Sequence, residues 1–589
     1  MESLEQFDCV VIGADEVADH GVLGLYGLAA AKQYHCTQPD ASIVIFDSQA
    51  SLGGTWANER LYPDLKSNNL VGTYEFPDFP LDREQFGVDT GQHIPGQVLN
   101  AYLTAYAERF AINSLIRLSS KVLDAEHQES GSGGWILSVS NADETVYKVY
   151  ARRLIVATGL TSEPNIPRFD GQEDFGGKIF HGKRFLQNRE TLETATSATI
   201  FGASKLAWDA VYSYAKAGVK VHWIVRASGH GPCWMSPSHV TPFKMWLEKL
   251  TTTRLLTWFS PCIWGNADGF GWVCGFLHGT SICRVVTNGF WKMLGNDVLT
   301  LNAYDAHPET AKLKPWMPAM FISTSLSILN YETDFFEIVR SGNVTIHVGE
   351  IDHLSPSKVH LSDGSSFDSD MILAHTGWKQ APPIKFLPEG VERHLGIPVS
   401  EDSNPPTQED LEKLLTTLEE VDGEILSRFP RLQTQPACCE KYIPLSTGDD
   451  TGSDSEKKAL PHDSPSYMLS RFMVPTSEKF LRHRDIVFAG MQDPAAIVDD
   501  PTAMHQLRYE TVLHNRFGRW RYPVDWGNKA PAFVFDALSY LDTLQHDLGL
   551  NSRRKGGILS EALKSYGVED YRGINDEWLS VVAKPDAQS

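Results

Sequence analysis

Short apolar runs separated by glycines and polar residues form a strand, turn, helix, strand pattern near the start of the chain. The run DCVVIGA (residues 8–14) predicts a buried strand, and the alanine-rich stretch GLAAAKQYH (residues 27–35) has the pattern of a helix. The next apolar run, SIVIFD, predicts a second strand that ends at Asp47. This order is typical of a dinucleotide-binding βαβ unit, in which an acid at the second strand's tip accepts hydrogen bonds from an adenosine ribose.

The same pattern recurs at residues 198–226, ATIFGASKLAWDAVYSYAKAGVKVHWIVR, but this second strand ends in Arg226. An arginine at the tip pairs with the 2'-phosphate that distinguishes NADPH from NADH. The turn contains Gly202, with Ser204 at the usual second glycine and Ala207 at the third. Ser204 is small enough for close approach. Lys205 is a second candidate partner for the NADPH phosphates, although an exposed lysine is more often a solvated charge.

Two further apolar runs, RLIVATG (residues 153–159) and DMILAHTG (residues 370–377), both end in Thr-Gly and predict strands where the chain crosses between two nucleotide-binding halves. Residues 402–422 predict an acidic amphipathic helix, and STGDDTGSDSEKK (residues 446–458) predicts a polar, acidic loop. Strands alternating with helices in this way predict an α/β fold with parallel sheets.

Composition restricts the partners. The 589 residues carry a formal charge of −22, which disfavours nucleic acid and anionic membranes, because binding phosphates requires an excess of Lys and Arg. The eight cysteines are scattered, apart from Cys438 and Cys439, so neither a disulfide framework nor a metal site is predicted. The N-terminal stretch MESLEQFDCV lacks the basic region of a secretory signal, so we expect a reducing, cytoplasmic location. The oligomeric state is left open.

An aromatic-rich segment between Arg254 and Arg284 has Asp268 as its only intervening charge. Its uncharged runs are shorter than the roughly 20 residues of a membrane-spanning helix, and Pro261 and several glycines interrupt them. We expect buried core or an apolar substrate lining. A peripheral membrane contact is the alternative.

A third motif, FGGKIFHGKRF, places Phe175, Gly177, His181 and Phe185 in the pattern FxGxxxHxxxF. With this motif and the two nucleotide-binding units, the chain resembles the flavin-containing monooxygenase family, in particular the members found in fungal natural-product pathways. The similarity extends over about residues 8–520 and includes three further stretches, which are GGTWANERLYPDLKSNNLVGTYEFPDFP (residues 53–80), HIPG (residues 93–96) and IVFAGMQDP (residues 486–494).

The resemblance implies two Rossmann-like domains, one for FAD and one for NADPH. The FAD domain is then discontinuous, with residues 1–165 as its first part and residues 380–589, including the helical and acidic-loop insertions, as its second. Residues 166–379 form the NADPH domain with the aromatic-rich insertion. The resemblance also implies that Gly54, Thr55 and Trp56 pack along the flavin and that Thr158 contacts a cofactor.

Asn68 and His181 are the predicted catalytic residues. The spacing of Asn68 to DFP (residues 78–80) is similar to that of the family's flavin-side asparagine. A neutral amide can donate a hydrogen bond to a flavin peroxide or to bound NADP without adding a charge. Asn69 is the alternative for this position. His181 is implied to help join the NADPH domain to the flavin.

The reaction implied by the resemblance begins when NADPH reduces FAD. O2 then adds at flavin C4a, the retained NADP shelters the peroxide, and one oxygen atom enters an apolar small molecule. A Baeyer-Villiger monooxygenase is the nearest alternative, although Phe185-Leu186 stand where its fingerprint has Trp followed by Pro or Asp. The alternatives from other classes are a non-catalytic binding protein and a flavin reductase or oxidase that releases peroxide.

The first nucleotide turn departs from the family pattern GAGxxGLAAAK. Gly13 and Ala14 supply one end, Gly24 and Gly27 supply the other, and nine residues, DEVADHGVL (residues 15–23), stand between them. Lengthening a flexible loop this much costs only about 1 kcal/mol. We therefore expect the insertion to be extruded and FAD binding to be retained. The alternatives are a helix that starts earlier, a turn disabled for FAD, and a gene-model artefact.

Overall fold

The computed structural model describes residues 4–13, 22–129, 131, 133–159, 163–240, 244–322, 325–379, 382–398, 408–445, 467–488, 501–524 and 535–582. Its strands are β1 (Glu5–Ile12), β2 (Ile43–Phe46), β3 (Lys66–Leu70), β4 (His93–Pro95), β5 (Ile116–Arg117), β6 (Lys121–His127), β7 (Trp135–Ser140), β8 (Val146–Val156), β9 (Lys178–His181), β10 (Ser197–Phe201), β11 (Lys220–Val225), β12 (Trp234–Pro237), β13 (His239–Val240), β14 (Met245–Trp246), β15 (Leu326–Leu329), β16 (Val344–Val348), β17 (Ile351–Ser355), β18 (Lys358–Leu361), β19 (Ser366–Asp368), β20 (Met371–Ala374), β21 (Lys385–Leu387), β22 (Leu469–Ser470), β23 (Val474–Pro475) and β24 (Ile486–Phe488).

The α-helices are α1 (Gly27–Thr37), α2 (Arg83–Phe86), α3 (Gly96–Arg109), α4 (Thr191–Thr194), α5 (Lys205–Lys216), α6 (Leu247–Thr251), α7 (Arg254–Thr257), α8 (Gly271–Gly279), α9 (Ser281–Asn302), α10 (Pro308–Ala311), α11 (Phe335–Ile338), α12 (Val391–Leu395), α13 (Gln408–Arg428), α14 (Glu478–His483), α15 (Pro501–Arg521), α16 (Ala537–Asp547), α17 (Ile558–Leu563) and α18 (Ile574–Val582).

The larger sheet has the strand order β21-β6-β7-β8-β1-β2-β5, with β24 also paired to β8. Strands β8, β1, β2 and β5 run parallel, whereas β6, β7 and β8 form an antiparallel meander. Because β21 and β24 join it from far along the chain, this sheet is built from three separate stretches of sequence. The predicted return at IVFAGMQDP is described only as far as β24, and the rest of that motif lies outside the described residues.

The second sheet consists of five parallel strands in the order β16-β11-β10-β20-β9. Every residue of β10 is buried, as expected of a strand in a parallel sheet that is covered on both faces. Helix α5 connects β10 to β11, and its Trp208 lies fully buried in the core of this unit. The two sheets confirm the predicted α/β fold with two Rossmann-type units.

A helical turn precedes the predicted start of helix α1. A π-helical turn at Val22–Tyr26 runs directly into α1, so helical backbone already covers the last residues of the expected insertion. The α-helix itself begins at Gly27, which confirms the predicted helical stretch, and the π-helical turn before it agrees with the alternative of an earlier helical start. Ala14 and residues 15–21 lie outside the described residues, so the extrusion of the insertion stays a prediction.

The aromatic-rich segment forms part of a third hydrophobic core. Trp264 and Phe321 pack there with Phe517 and Phe535 from the C-terminal part of the chain. Trp258 and Trp264 are buried, whereas Trp272 is 74% exposed. In the described ranges, no helix combines the length and apolar character needed to span a bilayer. The predicted acidic helix is α13, while the acidic loop at residues 446–458 lies outside the described residues.

Candidate functional site

The carboxyl ends of β1, β2 and β8 lie at one edge of the larger sheet. A cavity of about 210 Å³ at this edge is lined by residues that include Gly13, Ser48 and Thr158. Asp47 follows β2, is fully buried, and accepts a hydrogen bond at Oδ1 from the backbone N–H of Gln49 (2.8 Å). The edge therefore presents hydroxyl and carboxylate groups of the kind that hold an adenosine.

Gln49 adds a feature that the sequence did not reveal. Both polar atoms of its side-chain amide are buried and have no hydrogen-bond partner among the described residues. Such an amide costs free energy unless a ligand or water satisfies it. Because an FAD adenosine carries both donors and acceptors, the residues at this edge fit FAD. A single glutamine in a turn has no spacing pattern by which it could have been predicted.

A tight glycine turn places Thr55 and Trp56 beside the first turn of the helical segment. Gly53 and Gly54 have φ of 133° and 60°, which side chains other than glycine rarely adopt. A Cβ added at Gly24 would lie 3.1 Å from the carbonyl oxygen of Gly53, so the two backbones approach closely there. Thr55 and Trp56 are both buried. This turn accounts for the glycines predicted on the flavin side.

Residues from both units line a second cavity of about 780 Å³. Thr55 and Trp56 contribute from the first unit, and Gly182, Leu206 and His375 from the second. The other lining residues are Arg60, Tyr62, Leu65, Lys66, Ser67, Asn68, Asn69, Tyr74, Lys183, Lys205, Asp209 and Trp378. Four of these carry positive charge and only Asp209 is acidic. Within the described ranges, residues 254–284 contribute nothing to this lining, so the expected substrate lining from that segment is not found at this cavity.

The two neighbouring asparagines on β3 have different partners. Asn69 donates from Nδ2 to Oε1 of Glu248 (2.5 Å), and burial raises the pKa of this glutamate. Asn68 accepts at Oδ1 from the backbone N–H of Ile328 (3.5 Å), a long contact. Both line the larger cavity. Since the Asn69 amide is held by Glu248, the arrangement favours Asn68 over Asn69 as the residue that acts on a ligand.

His181 ends β9, is buried, and directly precedes the cavity-lining residues Gly182 and Lys183. Its Nδ1 accepts a hydrogen bond from the backbone N–H of Lys183 (3.2 Å), and its ring lies 4.5 Å from that of Trp378. Burial, together with His375 and the charges of Arg60 and Lys183, lowers the pKa of His181 to about 2. The imidazole is therefore neutral at working pH. A neutral ring suits the predicted joining role of His181, which stays a prediction.

The predicted NADPH turn lies between β10 and α5. Gly202 has φ of 121°, and a Cβ there would lie 2.2 Å from the carbonyl oxygen of His375. Ser204 precedes the first residue of α5, and Ala207 is fully buried in its first turn. The turn thus has the close backbone packing expected of a nucleotide-binding turn, with the helix N-terminus behind it.

Replacing Gly202 by alanine is expected to lower the free energy of unfolding in two ways. The positive φ costs a non-glycine residue about 1–3 kcal/mol, and the clash of the new Cβ with the carbonyl oxygen of His375 adds to that cost. Gly218→Ala is a matched control, since Gly218 has φ of 83° but nothing within 4 Å of the added Cβ. Urea unfolding of both variants measures the difference. Equal losses of stability would contradict the close approach at His375.

Lys205 has partners within the protein that were not predicted from the sequence. It is buried, and its Nζ pairs with Asp209 and donates to Oδ1 of Asn330 (2.8 Å) and to the Tyr331 hydroxyl (3.2 Å). The reading of Lys205 as a solvated charge is wrong, because the residue is buried and these acceptors hold its ammonium group, while its contact with a phosphate stays a prediction. Asp209 lies one helical turn further along α5, and this spacing could have suggested the pair.

Arg226 follows β11, as predicted, and its Nη2 donates to the carbonyl oxygen of Ile443 (2.6 Å). Burial lowers the pKa of its guanidinium group. Arg60 and Lys183 are cationic lining residues that the sequence reasoning missed. Arg60 lies within the quoted GGTWANER stretch, and Lys183 follows His181 in the third motif, so both had a positional signal.

Three side chains with metal-ligand atoms, His127, His483 and Asp485, lie within 4.8 Å of one another. The Asp485 carboxylate accepts from the backbone N–H of Gly134 (2.9 Å) and lies 2.9 Å from His127 Nε2. These are ordinary contacts of a buried His-Asp pair. The absence of a metal site stays a prediction.

The known proteins that this chain resembles are monooxygenases. A family model described as L-lysine 6-monooxygenase/L-ornithine 5-monooxygenase matches residues 84–244. An FAD-dependent monooxygenase of Pyrenophora dematioidea is 32% identical over 94% of this chain and 100% of its own length. Another from Aspergillus sclerotiorum is 31% identical over 98% of each chain. Among solved structures, a polycyclic ketone monooxygenase from Thermothelomyces thermophila has a TM-score of 0.50 and 17% identity, and the match covers 71% of this chain and 77% of that one. The structural match supports the fold.

Proposed function

Because the chain belongs to the family of FAD-dependent monooxygenases, we propose that it uses NADPH as reductant and inserts one oxygen atom of O2 into a small molecule. The bound FAD supplies the redox chemistry and the activation of O2. The observation that carries the proposal is the cavity of about 780 Å³ that is lined by flavin-side residues of the first unit and nucleotide-side residues of the second. A single cavity is needed for both cofactors to meet a substrate.

The proposed FAD site begins at the carboxyl edge of the larger sheet. Gly13, Asp47, Gln49 and Thr158 would hold the adenosine end, and the turn with Thr55 and Trp56 would pack along the ring. We place the FAD domain at residues 1–165 and 380–589, because the larger sheet takes its strands from both parts. Residues 166–379 form the proposed NADPH domain, since all five strands of the second sheet lie within them.

The proposed NADPH site uses the turn from Gly202 to Ala207 and the side chain of Arg226. Arg60 and Lys183 line the same cavity as Lys205, and we propose them as further cations for the phosphates. The side-chain amide of Asn68 would donate a hydrogen bond to a ligand in the cavity. His181, as a neutral imidazole, would help to join the two units.

The lining also changes the expected substrate. Trp56, Tyr62, Tyr74 and Trp378 offer apolar surface, but Lys66, Ser67 and Asn68 add polar groups. Apolar walls with a few placed polar groups bind ligands that have both characters. We therefore propose a substrate with an apolar body that carries at least one hydrogen-bond acceptor.

Anaerobic mixing of the purified, FAD-loaded protein with NADPH or NADH tests the cofactor assignment. NADPH should bleach the flavin absorbance faster than NADH. Arg226→Ala should reduce this preference about 10- to 100-fold, the value of one or two hydrogen bonds to a charged group. Lys220→Ala, at the opposite end of β11, is the control. An unchanged preference in the Arg226 variant would contradict its assignment.

Oxygen insertion is tested by incubating the protein with NADPH, isotopically labelled O2 and a panel of small molecules. One labelled atom in a product, found by mass spectrometry, would support the proposal. Flavin reduction with peroxide as the sole product across the panel would favour an oxidase, and an ester formed from a ketone would favour the Baeyer-Villiger alternative. Protein that takes up no flavin would support the non-catalytic alternative.

A further inference from the structure

Residues 328–331, here called the bridging segment, are the last two residues of β15 and the two that follow, and they contact β3. The backbone N–H of Ile328 donates to Oδ1 of Asn68 (3.5 Å). The side-chain Nδ2 of Asn330 donates to the carbonyl oxygens of Lys66 and Ser67 (3.1 Å each). One short segment therefore holds β3 at the Asn68 side chain and at the two residues before it.

The same segment also contacts the helix of the NADPH turn. Asn330 Oδ1 accepts from Lys205 Nζ (2.8 Å), and the Tyr331 hydroxyl donates to Asp209 Oδ1 (2.8 Å). Lys205 and Asp209 form an ion pair on α5, and Tyr62 donates to the second oxygen of Asp209 (2.8 Å). The side chains of Lys205 and Asp209 are only 7% and 13% exposed. Lys205, Asp209, Asn330 and Tyr331 are here called the Lys205 cluster.

We propose that the Lys205 cluster positions Asn68 relative to helix α5, and so couples the nucleotide site to the residue nearest the chemistry; this inference rests on the proposed function. A buried ion pair is weak evidence for added stability, because desolvation offsets its attraction. A hydrogen-bonded network whose members are satisfied does specify one arrangement of the groups that it joins. Asn330 is central, since its oxygen binds the α5 side and its nitrogen binds the β3 side.

Loss of this positioning has a chemical consequence. In the coupled reaction, NADPH, a proton, O2 and substrate give NADP+, water and the oxygenated product. In the uncoupled reaction, NADPH, a proton and O2 give NADP+ and H2O2. Displacing Asn68 from the nucleotide site should favour the second outcome, because misplacement by a small distance is enough to impair a positioned group.

Asn330→Asp separates the two halves of the contact. An aspartate still accepts from Lys205, but it cannot donate to the carbonyl oxygens of Lys66 and Ser67. The readout is a ratio of two rates, neither of which needs the substrate. The first is the rate of H2O2 release with NADPH and O2, and it is divided by the rate at which NADPH reduces the flavin without O2. We expect this ratio to rise about tenfold in Asn330→Asp and similarly in Asn68→Ala. Lys216→Met, which removes the Lys216–Asp64 pair at the other end of α5, is the control.

The double variant decides whether Asn330 acts through Asn68. Residues that act as a unit give non-additive effects, so Asn68→Ala/Asn330→Asp should match Asn68→Ala alone. Additive effects would overturn the inference, as would a wild-type ratio in both Asn330→Asp and Asp209→Asn. If the Asn330→Asp variant loses its FAD, the same ratio is measured on Asp209→Asn instead. Failure of NADPH to reduce the wild-type flavin would instead refute the proposed function.

Discussion

Replacing Arg254 by methionine is expected to lower the free energy of unfolding by about 3–5 kcal/mol. The guanidinium group is fully buried and pairs with Asp542, while carboxylate oxygens of Asp268 and Glu561 lie 3.5 and 3.6 Å from its nitrogens. Methionine retains much of the side-chain volume but leaves three buried carboxyl groups without their cation. Asp268 lies between α7 and α8, whereas Asp542 and Glu561 lie on α16 and α17, so the loss should separate the aromatic-rich segment from the C-terminal helices.

The defect should depend on pH. Burial raises the pKa of Asp542 to about 6, although Arg254 opposes the shift. A carboxyl group whose folded pKa exceeds its unfolded value binds more protons in the folded state, so its stabilising contribution is present at low pH and lost as pH rises through the folded value. Without Arg254 the Asp542 carboxyl group loses the cation that lowers its pKa, so it takes up a proton more readily. The variant should therefore lose less stability near pH 5 than near pH 8.

Chemical unfolding at both pH values, followed by circular dichroism, measures this difference. Arg340→Met is the control, because Arg340 forms a partly exposed pair with Asp334 (3.1 Å), and surface pairs contribute only about 0–1 kcal/mol. If the Arg254 variant were no less stable than this control near pH 8, the buried cluster would not have the assigned role.

Replacing Asn68 by alanine is expected to reduce oxygenated-product formation about 10²- to 10³-fold, the effect of removing one positioned hydrogen-bond donor where charge develops. Asn68 lines the larger cavity, and among the described residues its side-chain oxygen accepts one long hydrogen bond, from the backbone N–H of Ile328. The measurement is the turnover of the substrate found with labelled O2, at saturating NADPH.

Asn69→Ala is the matched comparison. The Asn69 amide bonds to Glu248, which also accepts from Leu70 N–H (3.1 Å) and the Thr73 hydroxyl (2.9 Å). Removal of the Asn69 amide leaves Glu248 with the two other donors. The main effect should be a free energy of unfolding that is lower by about 1–3 kcal/mol. A larger loss of turnover in Asn69→Ala than in Asn68→Ala would reverse the assignment of the two asparagines.

Local patterns were sufficient for the two nucleotide-binding units. The apolar runs that became β1, β2, β10 and β11, and the helices between them, depend on residues a few positions apart. Asp47 and Arg226 follow directly from such runs, because the residue after a buried strand must lie at the edge of the sheet. The alanine-rich pattern predicted α1 from Gly27 onward, but it did not predict the π-helical turn at Val22–Tyr26, since the glycines in that region satisfy two different turn patterns.

The chain's own pattern of apolar runs, glycines and charged strand ends was enough to establish the α/β fold, because each element forms from neighbouring residues. It could not establish which side chains meet across the molecule. Lys205 lies 125 positions from Asn330, and Arg254 lies 288 positions from Asp542, and neither contact has a spacing rule. Such pairs are selected when distant elements pack and their buried polar groups must find partners, which is a property of the folded whole.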